Sequence, residues 1–453
     1  MAIDRITVQG YKALKDPQSI EIRKLTINAG VNSSGKSSMM QPLLLLKQTI
    51  EAPYDPGPLL LDGPNVSVTE IPQILSKGQS ESSRVSSFSI GIASGPNSVR
   101  VKFGKSSKND LKVQEFELRS DSDSEPSYTL RESLTHKQIE ALLSGKRIKR
   151  IENVLKHFRE IDEKNSSLRL EVSRERWALA ITAQIGTGNR RFKMGNIADF
   201  MYEDFSTQKI EQDLSRIIHL PALRGNPERT YRTAAVEGTY PGQFHDYAAG
   251  IISAWKNREV TEKLDRLRKG LEKLGLSWKV EARRIDDTRV ELVVGRLPRA
   301  RQGGAHDLVS IADVGFGVSQ TLPVIVALIA ASPGQMVYLE QPEIHLHPRA
   351  QYEFGDLIVE SVLRGVRVIV ETHSDLLIRA IQTKIAQGVL APADVCLNWF
   401  GRDPITGFTK VDTAMLEPDG SFGDWPEDFD QVYLQAESNY LDAVAAKFGR
   451  RHE

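Results

Sequence analysis

Gly30, Gly35, Lys36 and Ser37 stand at the spacing G-x-x-x-x-G-K-[ST], directly after the apolar run Leu25-Thr26-Ile27-Asn28-Ala29. Residues of these types at this spacing form a cradle for the phosphates of a nucleoside triphosphate. The two glycines open backbone conformations closed to other residues, so that successive amides through Asn32, Ser33, Ser34 and Ser38 converge on phosphate oxygens. Lys36 is placed to pair with the β- and γ-phosphates, and the Ser37 hydroxyl to reach Mg²⁺. The helix that follows, through Met39, Met40, Leu43, Leu44 and Leu46, adds the positive end of its dipole at the same point.

Such a cradle needs a strand before it and a helix after it. Residues 3–8 and 20–29 alternate as strands do, which places the loop inside a small sheet at the start of the chain. The second strongly apolar block lies between Ile311 and Phe400. There Met336 to Glu340 and Val366 to Glu371 read as buried parallel strands, with helices from Pro348 and from Ser374. One nucleotide-binding core is therefore expected to be split across the sequence. Between its halves, residues 80–165 are polar, with strand-like pieces at Phe88 to Ala93 and Val99 to Phe103 and a charged helical pattern from His136 to Lys164. A second charged helix, Asn257 to Leu274, runs into strand-like Trp278 to Arg283 and Val290 to Val294. Neither helix sustains heptads, so long coiled-coil arms are not expected. The division is residues 1–80, the first half with the phosphate loop; 81–210, an inserted strand and helical region; 211–300, a connector; 301–400, the second half; and 401–453, a C-terminal extension.

A chain of 453 residues calls for two or three lobes. Lys+Arg 59 balance Asp+Glu 59, so no global basic field points to nucleic acid, although a local groove remains open. One cysteine, Cys396, allows no intrachain disulfide. The N-terminus lacks a signal-peptide pattern and the longest apolar run, Leu322 to Ala331, is too short for a bilayer. The expectation is a cytoplasmic protein without membrane association.

Three further segments narrow the class. They are Asp313-Val314-Gly315-Phe316-Gly317-Val318-Ser319-Gln320, Met336-Val337-Tyr338-Leu339-Glu340-Gln341-Pro342-Glu343-Ile344-His345-Leu346-His347-Pro348, and Val368-Ile369-Val370-Glu371-Thr372-His373-Ser374-Asp375. In this order, behind the phosphate loop, they resemble the ABC-type ATPase heads of the SMC/RecF/OLD superfamily. The branch is that of prokaryotic AAA-family ATPases, which includes OLD-like, Septu-type and PARIS-type antiviral defence ATPases.

The resemblance implies an α/β fold: a split ABC/SMC-like P-loop NTPase head with mixed and parallel sheets, plus an inserted α+β or helical region. It makes Gly315-Phe316-Gly317, with Ser319, the signature loop that reaches the γ-phosphate bound by a partner chain, with glycine at Gly315 where many signatures carry serine. Met336 to Glu340 becomes the Walker B strand, with Glu340 at the Mg²⁺. Related heads usually carry a catalytic glutamate where Gln341 stands. Glutamine orients water but takes no proton, so hydrolysis is expected to be slow or to borrow Glu343 or Glu371 as base, Glu343 ranking first. His345 and His347 fall in the segment that meets the opposing subunit, and His373 matches the switch histidine that senses the γ-phosphate.

Arg224, in His219-Leu220-Pro221-Ala222-Leu223-Arg224-Gly225, matches an arginine near the nucleotide or the dimer interface; a surface arginine is the competing reading. Tyr11 and Lys12 would border the adenine and phosphates, and Gln73 is a candidate for the glutamine that senses Mg²⁺. OLD nucleases carry a Toprim domain after the head, for which the residues after His373 leave too little chain, so a nuclease or toxin is expected on a separate polypeptide. The acidic, aromatic stretch from Asp424 to Glu437 could dock such a partner or simply pack. The expected activity is ATP hydrolysis by a homo-oligomer, at least a dimer, that controls an effector such as an HNH or Toprim nuclease. A RecF-like DNA-binding ATPase and a weakly hydrolysing nucleotide-gated scaffold are the alternatives.

Overall fold

The computed structural model describes residues 3–78, 85–106, 110–120, 127–143, 166–187, 190–194, 207–233, 238–299, 306–423 and 438–443. Its centre is a six-stranded sheet in the order β11 (Ile218–Leu220), β16 (Met336–Glu340), β17 (Arg367–Thr372), β3 (Leu25–Gly30), β18 (Val395–Arg402), β19 (Thr409–Ala414). The first five run parallel and β19 returns antiparallel to β18. β3, from the start of the chain, lies between two strands from its end, so the split core closes as a single sheet.

These strands are apolar almost without interruption because both of their faces are covered. Val337, Leu339, Val368, Val370, Leu25 and Ile27 pack with helices α6 (Phe316–Ala330), α7 (Pro348–Leu363) and α8 (Asp375–Ala386). On the opposite face Met336, Tyr338, Ile369 and Phe400 share a core with Met39, Met40, Leu43 and Leu44 of α1 (Lys36–Glu51).

That second core also takes in an antiparallel sheet, β2 (Gln18–Glu21), β1 (Arg5–Gln9), β4 (Ser87–Ser94), β5 (Asn97–Lys105), β6 (Leu111–Ser120), β7 (Tyr128–Leu130). Strict alternation sets its register: Ile6, Val8, Ile90, Ile92, Val99 and Val101 are buried, while Thr7, Gln9 and Arg100 alternate with them. β1 pairs with β4, so this sheet joins residues on both sides of position 80. Beyond it stand the three strands β8 (Ser166–Glu175), β9 (Ala178–Thr187) and β10 (Arg190–Met194). The described part of the inserted region is thus largely strand. Its charged helical stretch appears as α2 (His136–Leu143), and residues 144–165 lie outside the described residues, as does the acidic stretch 424–437.

α3 (Thr207–Ser215) crosses from the inserted region into the connector, which holds α4 (Ala248–Asn257), α5 (Thr261–Lys273) and most of a small sheet in which β14 (Arg289–Gly295) pairs with β12 (Tyr231–Arg232), β13 (Val280–Arg284) and, from the second half, β15 (Leu308–Ser310). The longest elements among the described helices, α1 and α7, have 16 residues each, and none is long and apolar enough to cross a membrane.

Candidate nucleotide-binding site

All six residues of β3 are buried, so the chain leaves the sheet at a fixed point. Gly30 has φ +144° and Gly35 φ +99°, conformations costly for any residue with a side chain. A Cβ on Gly30 would strike the Phe400 carbonyl, and one on Gly35 the Thr409 hydroxyl. The β18–β19 hairpin walls the loop: Thr409 Oγ1 donates to the Ser34 carbonyl at 2.7 Å and Arg402 Nε to the Ser33 carbonyl at 2.8 Å. Asn32 and Ser33 are exposed, and Ser34 Oγ is buried without a partner. Lys36 Nζ donates to the carbonyls of Gly30 (3.0 Å) and Val31 (2.8 Å). Burial brings its pKa down to about 8 against the opposing charges of Glu371 and Glu343.

Glu340 of β16, Glu371 of β17 and Asn28 of β3 occupy one row across the sheet, which puts two carboxylates side by side on the face that α1 covers. Ser37 Oγ donates to Glu371 Oε2 at 2.7 Å, and the Tyr338 hydroxyl donates to Glu371 Oε1. Burial, with the Glu340 charge beside it, raises Glu371 to about 8 despite the bonds from Tyr338 and Ser37 and the nearby Lys36. Burial is the largest influence on Glu340 and acts to raise it, but His219, the Ala222 backbone and Tyr338 together outweigh it, and its pKa falls below the ordinary value. Of the two adjacent carboxylates, Glu371 is therefore the one that keeps its proton to the higher pH.

This assignment fixes a stability test. Because Glu371 binds its proton more tightly folded than unfolded, its contribution is full below the ordinary value of 4.5 and is lost as pH rises toward about 8. In the nucleotide-free protein, Glu371→Gln is expected to raise the melting temperature relative to wild type, with a gain that grows from pH 5 to pH 8. A pH-independent difference would contradict it.

After β16 the chain turns through Gln341 at φ +42°, whose amide donates to the Glu371 carbonyl at 2.8 Å. The turn returns Glu343 to the sheet edge, where Oε1 accepts from Thr372 Oγ1 (2.6 Å) and the His373 amide (2.9 Å). Its other oxygen is buried with no partner, and burial raises the pKa of the group over the bonds that lower it. Glu343 does not cap α7, whose N-cap is His347. His373 is half-buried; burial and the Lys36 charge lower its pKa against a backbone bond at Gly30, which keeps the ring neutral beside the loop.

Arg224 is buried rather than a surface residue. It donates through Nη2 to the Glu340 carbonyl (3.0 Å) and through Nη1 to the Gln320 carbonyl (3.1 Å), while its amide donates to Gln320 Oε1. Burial lowers it to about 10 against Glu343 and Glu340. The arginine thereby ties the first turns of α6 to the end of β16. Gly315 precedes α6, Ser319 Oγ turns back to the Phe316 carbonyl (3.3 Å), and the Phe316 ring lies 5.8 Å from that of His345. Among the described residues no hydrogen bond joins 315–319 to the loop 30–38. Phe316 is 53 % exposed, Ile344 47 % and Leu223 74 %.

The structure does not bring Gln73 into this cluster: it sits in an exposed turn, bonded to Thr69. Tyr11 and Lys12 both donate to Gln41 Oε1, on α1 one turn beyond Ser37. Two residues with no role assigned from the sequence stand at the centre, Tyr338 and His219. The period-two spacing of Tyr338 and Glu340 on one strand face was the available signal for the first. Among the described residues no group of three or more His, Cys, Asp or Glu side chains is placed to hold a metal alone. A Mg²⁺ here would draw on Ser37, a carboxylate, phosphate oxygens and water, which is its usual company. The unpaired hydroxyl of Ser34 and the glycine cradle fit a phosphate ligand, and the unpaired oxygen of Glu343 fits a water or such an ion beside it.

A parallel sheet whose inner strand ends in this cradle, beside a carboxylate-ended strand, is the arrangement of a P-loop nucleotide-binding domain. The chain belongs to the family described as "AAA domain, putative AbiEii toxin, Type IV TA system", which matches residues 29–379. Among solved structures it is similar to an Smc head bound to the C-winged helix domain of ScpA, at 12% identity over 92% of this chain and 98% of that one, TM-score 0.47. It is also similar to the SMC head domain from Thermotoga maritima (11% identity, 91% and 98% covered, TM-score 0.39). A third is an Smc head domain with an extended coiled coil bound to the C-terminal domain of ScpA derived from Pyrococcus furiosus (12%, 98% and 99%, TM-score 0.43). A search of curated proteins returns no match.

Proposed function

We propose that two copies of this chain close around ATP and that their opening and closing switches a separate effector, a nuclease or toxin, in prokaryotic antiviral defence. The observation that carries the dimer is the exposed signature turn. Phe316, Ile344 and Leu223 form apolar surface beside the site, residues 315–319 make no bond to their own phosphate loop, and α6 offers its N-terminus to an anion. A second copy facing the first would bring that turn to the γ-phosphate and bury the apolar rim.

Within one copy, Lys36 pairs with the β- and γ-phosphates, and the neutral His373 hydrogen-bonds the γ-phosphate. Glu343 accepts the proton of the attacking water and Gln341 orients that water. Ser37 and Glu340 would hold Mg²⁺, which when bound neutralises phosphate charge. A pairing of two proteins finds support in the family description, which names a type IV TA system, although the toxin it names is the family's own member.

Mixing variants tests the shared site. Phe316→Asp is expected to keep ATP binding but to remain monomeric with Mg-ATP in analytical ultracentrifugation, where wild type doubles in mass. Lys36→Ala and Phe316→Asp, each inactive alone, should recover part of the ATPase when mixed. Retained activity of Phe316→Asp as a monomer would end the two-copy reading.

One feature favours the DNA-binding alternative: among the described residues, Arg100 on the antiparallel sheet bonds only the neutral Gln9 and Ser89. Strongly salt-dependent affinity for duplex DNA, lost in Arg100→Glu, would support it.

A further inference from the structure

We propose that His219 is a positioning residue for the metal-binding carboxylate: its imidazole holds one oxygen of Glu340 and so fixes how the group is presented to Mg²⁺. The inference rests on the ATP reading above. His219 is 1 % exposed and lies in β11 directly beside Tyr338 of β16. Its Nε2 meets Glu340 Oε1 at 3.1 Å and its Nδ1 meets Asn65 Oδ1 at 3.0 Å. The ring stacks on Tyr338 with centroids 5.3 Å apart and planes 11° apart. Both ring nitrogens and one ring face are thus occupied, which leaves the imidazole a single orientation.

The anchor behind it is itself fixed. The backbone amides of Asn65 and Val66 donate to Gln48 Oε1 at 3.1 and 2.9 Å, and Gln48 belongs to α1, the helix that begins at the phosphate loop. Asn65 Nδ2 is buried without a partner. Rotating that amide by half a turn would satisfy it and offer a donor to Nδ1. With the amide turned, Nδ1 accepts and a neutral ring carries its hydrogen on Nε2, facing Glu340; with Oδ1 toward the ring, both nitrogens donate only when the ring is charged. Tyr338 completes the arrangement: its face holds His219 and its hydroxyl holds Glu371. One aromatic side chain therefore steadies both carboxylates of the row.

Groups that orient a metal ligand from behind are worth about 10- to 100-fold in metal affinity. The test titrates Mn²⁺ into the full chain with saturating ATP, reading free Mn²⁺ by electron paramagnetic resonance, with metal-free ATP affinity measured in EDTA. His219→Ala is expected to weaken Mn²⁺ binding about 10- to 100-fold while ATP affinity in EDTA is unchanged. His219→Gln, whose amide can donate to Glu340, should recover most of the loss. Wild-type Mn²⁺ affinity in His219→Ala, or equal damage in both variants, overturns the proposal. If His219→Ala shows no cooperative thermal transition, Asn65→Ala decides, with a few-fold loss supporting the role and unchanged affinity overturning it. A wild-type chain that bound no ATP in EDTA would instead remove the ATP reading, and this inference with it.

Discussion

Lys36→Ala is expected to abolish ATP binding at micromolar concentrations. The ammonium is held over the loop by the Gly30 and Val31 carbonyls at 3.0 and 2.8 Å, so its position is set before any phosphate arrives. Removing one member of a buried, hydrogen-bonded charge pair costs about 2–5 kcal/mol, roughly 30- to several-thousand-fold in affinity. A proton signature accompanies it. Free Lys36 titrates near 8 because burial penalises its charge, and phosphates restore the charged form. ATP binding by wild type at pH 8 should therefore take up protons, seen as a calorimetric enthalpy that varies with the ionisation heat of the buffer. Lys36→Ala should lose that uptake, and because the alanine removes a desolvated ammonium, its nucleotide-free melting temperature should not fall. Unchanged ATP affinity in the variant would refute the cradle.

The cradle, the split core and the parallel strands were legible because each is a local pattern. A glycine-spaced loop after an apolar run, and apolar strands ending in a carboxylate, signal themselves without reference to distant residues. The order of the central sheet was not: nothing local in Leu25 to Gly30 says that its neighbours are Arg367–Thr372 and Val395–Arg402. The continuation of that sheet through Ala414, and the wall it builds against Gly35, is a long-range contact of the same kind.

Arg224 shows the limit from another side. A charged residue between Leu223 and Gly225 looks like surface, yet it is buried because the carbonyls of Gln320 and Glu340, about a hundred positions away in sequence, accept its protons. Polar residues enter a core only where partners meet them, and those partners are invisible until the chain folds. The same holds for His219 and Asn65. Gln73 stays outside the cluster for the opposite reason: a glutamine in a polar turn finds a local partner, Thr69.

Glu343→Gln separates proton transfer from everything else the site does. The amide oxygen can still accept from Thr372 and from the His373 backbone, so packing and the position of His373 should survive. What disappears is the capacity to take a proton from water, a contribution of about 10²- to 10⁴-fold in rate. The expected result is a turnover lowered by about that factor with ATP affinity essentially unchanged, and a dimer that persists in Mg-ATP because hydrolysis no longer dissolves it. The pH profile gives an independent reading. A base acts when ionised, and burial raises Glu343 above the ordinary carboxylate value, so wild-type turnover should fall on acidification at a pH above 4.5 and that limb should vanish in the variant. Glu340→Gln should behave differently, losing dependence on Mg²⁺ concentration while leaving metal-free ATP binding intact. If Glu343→Gln turned over at the wild-type rate, the base would have to be sought elsewhere. Glu371 would be a poor candidate, because the proton it holds near neutral pH is one a base must first give up.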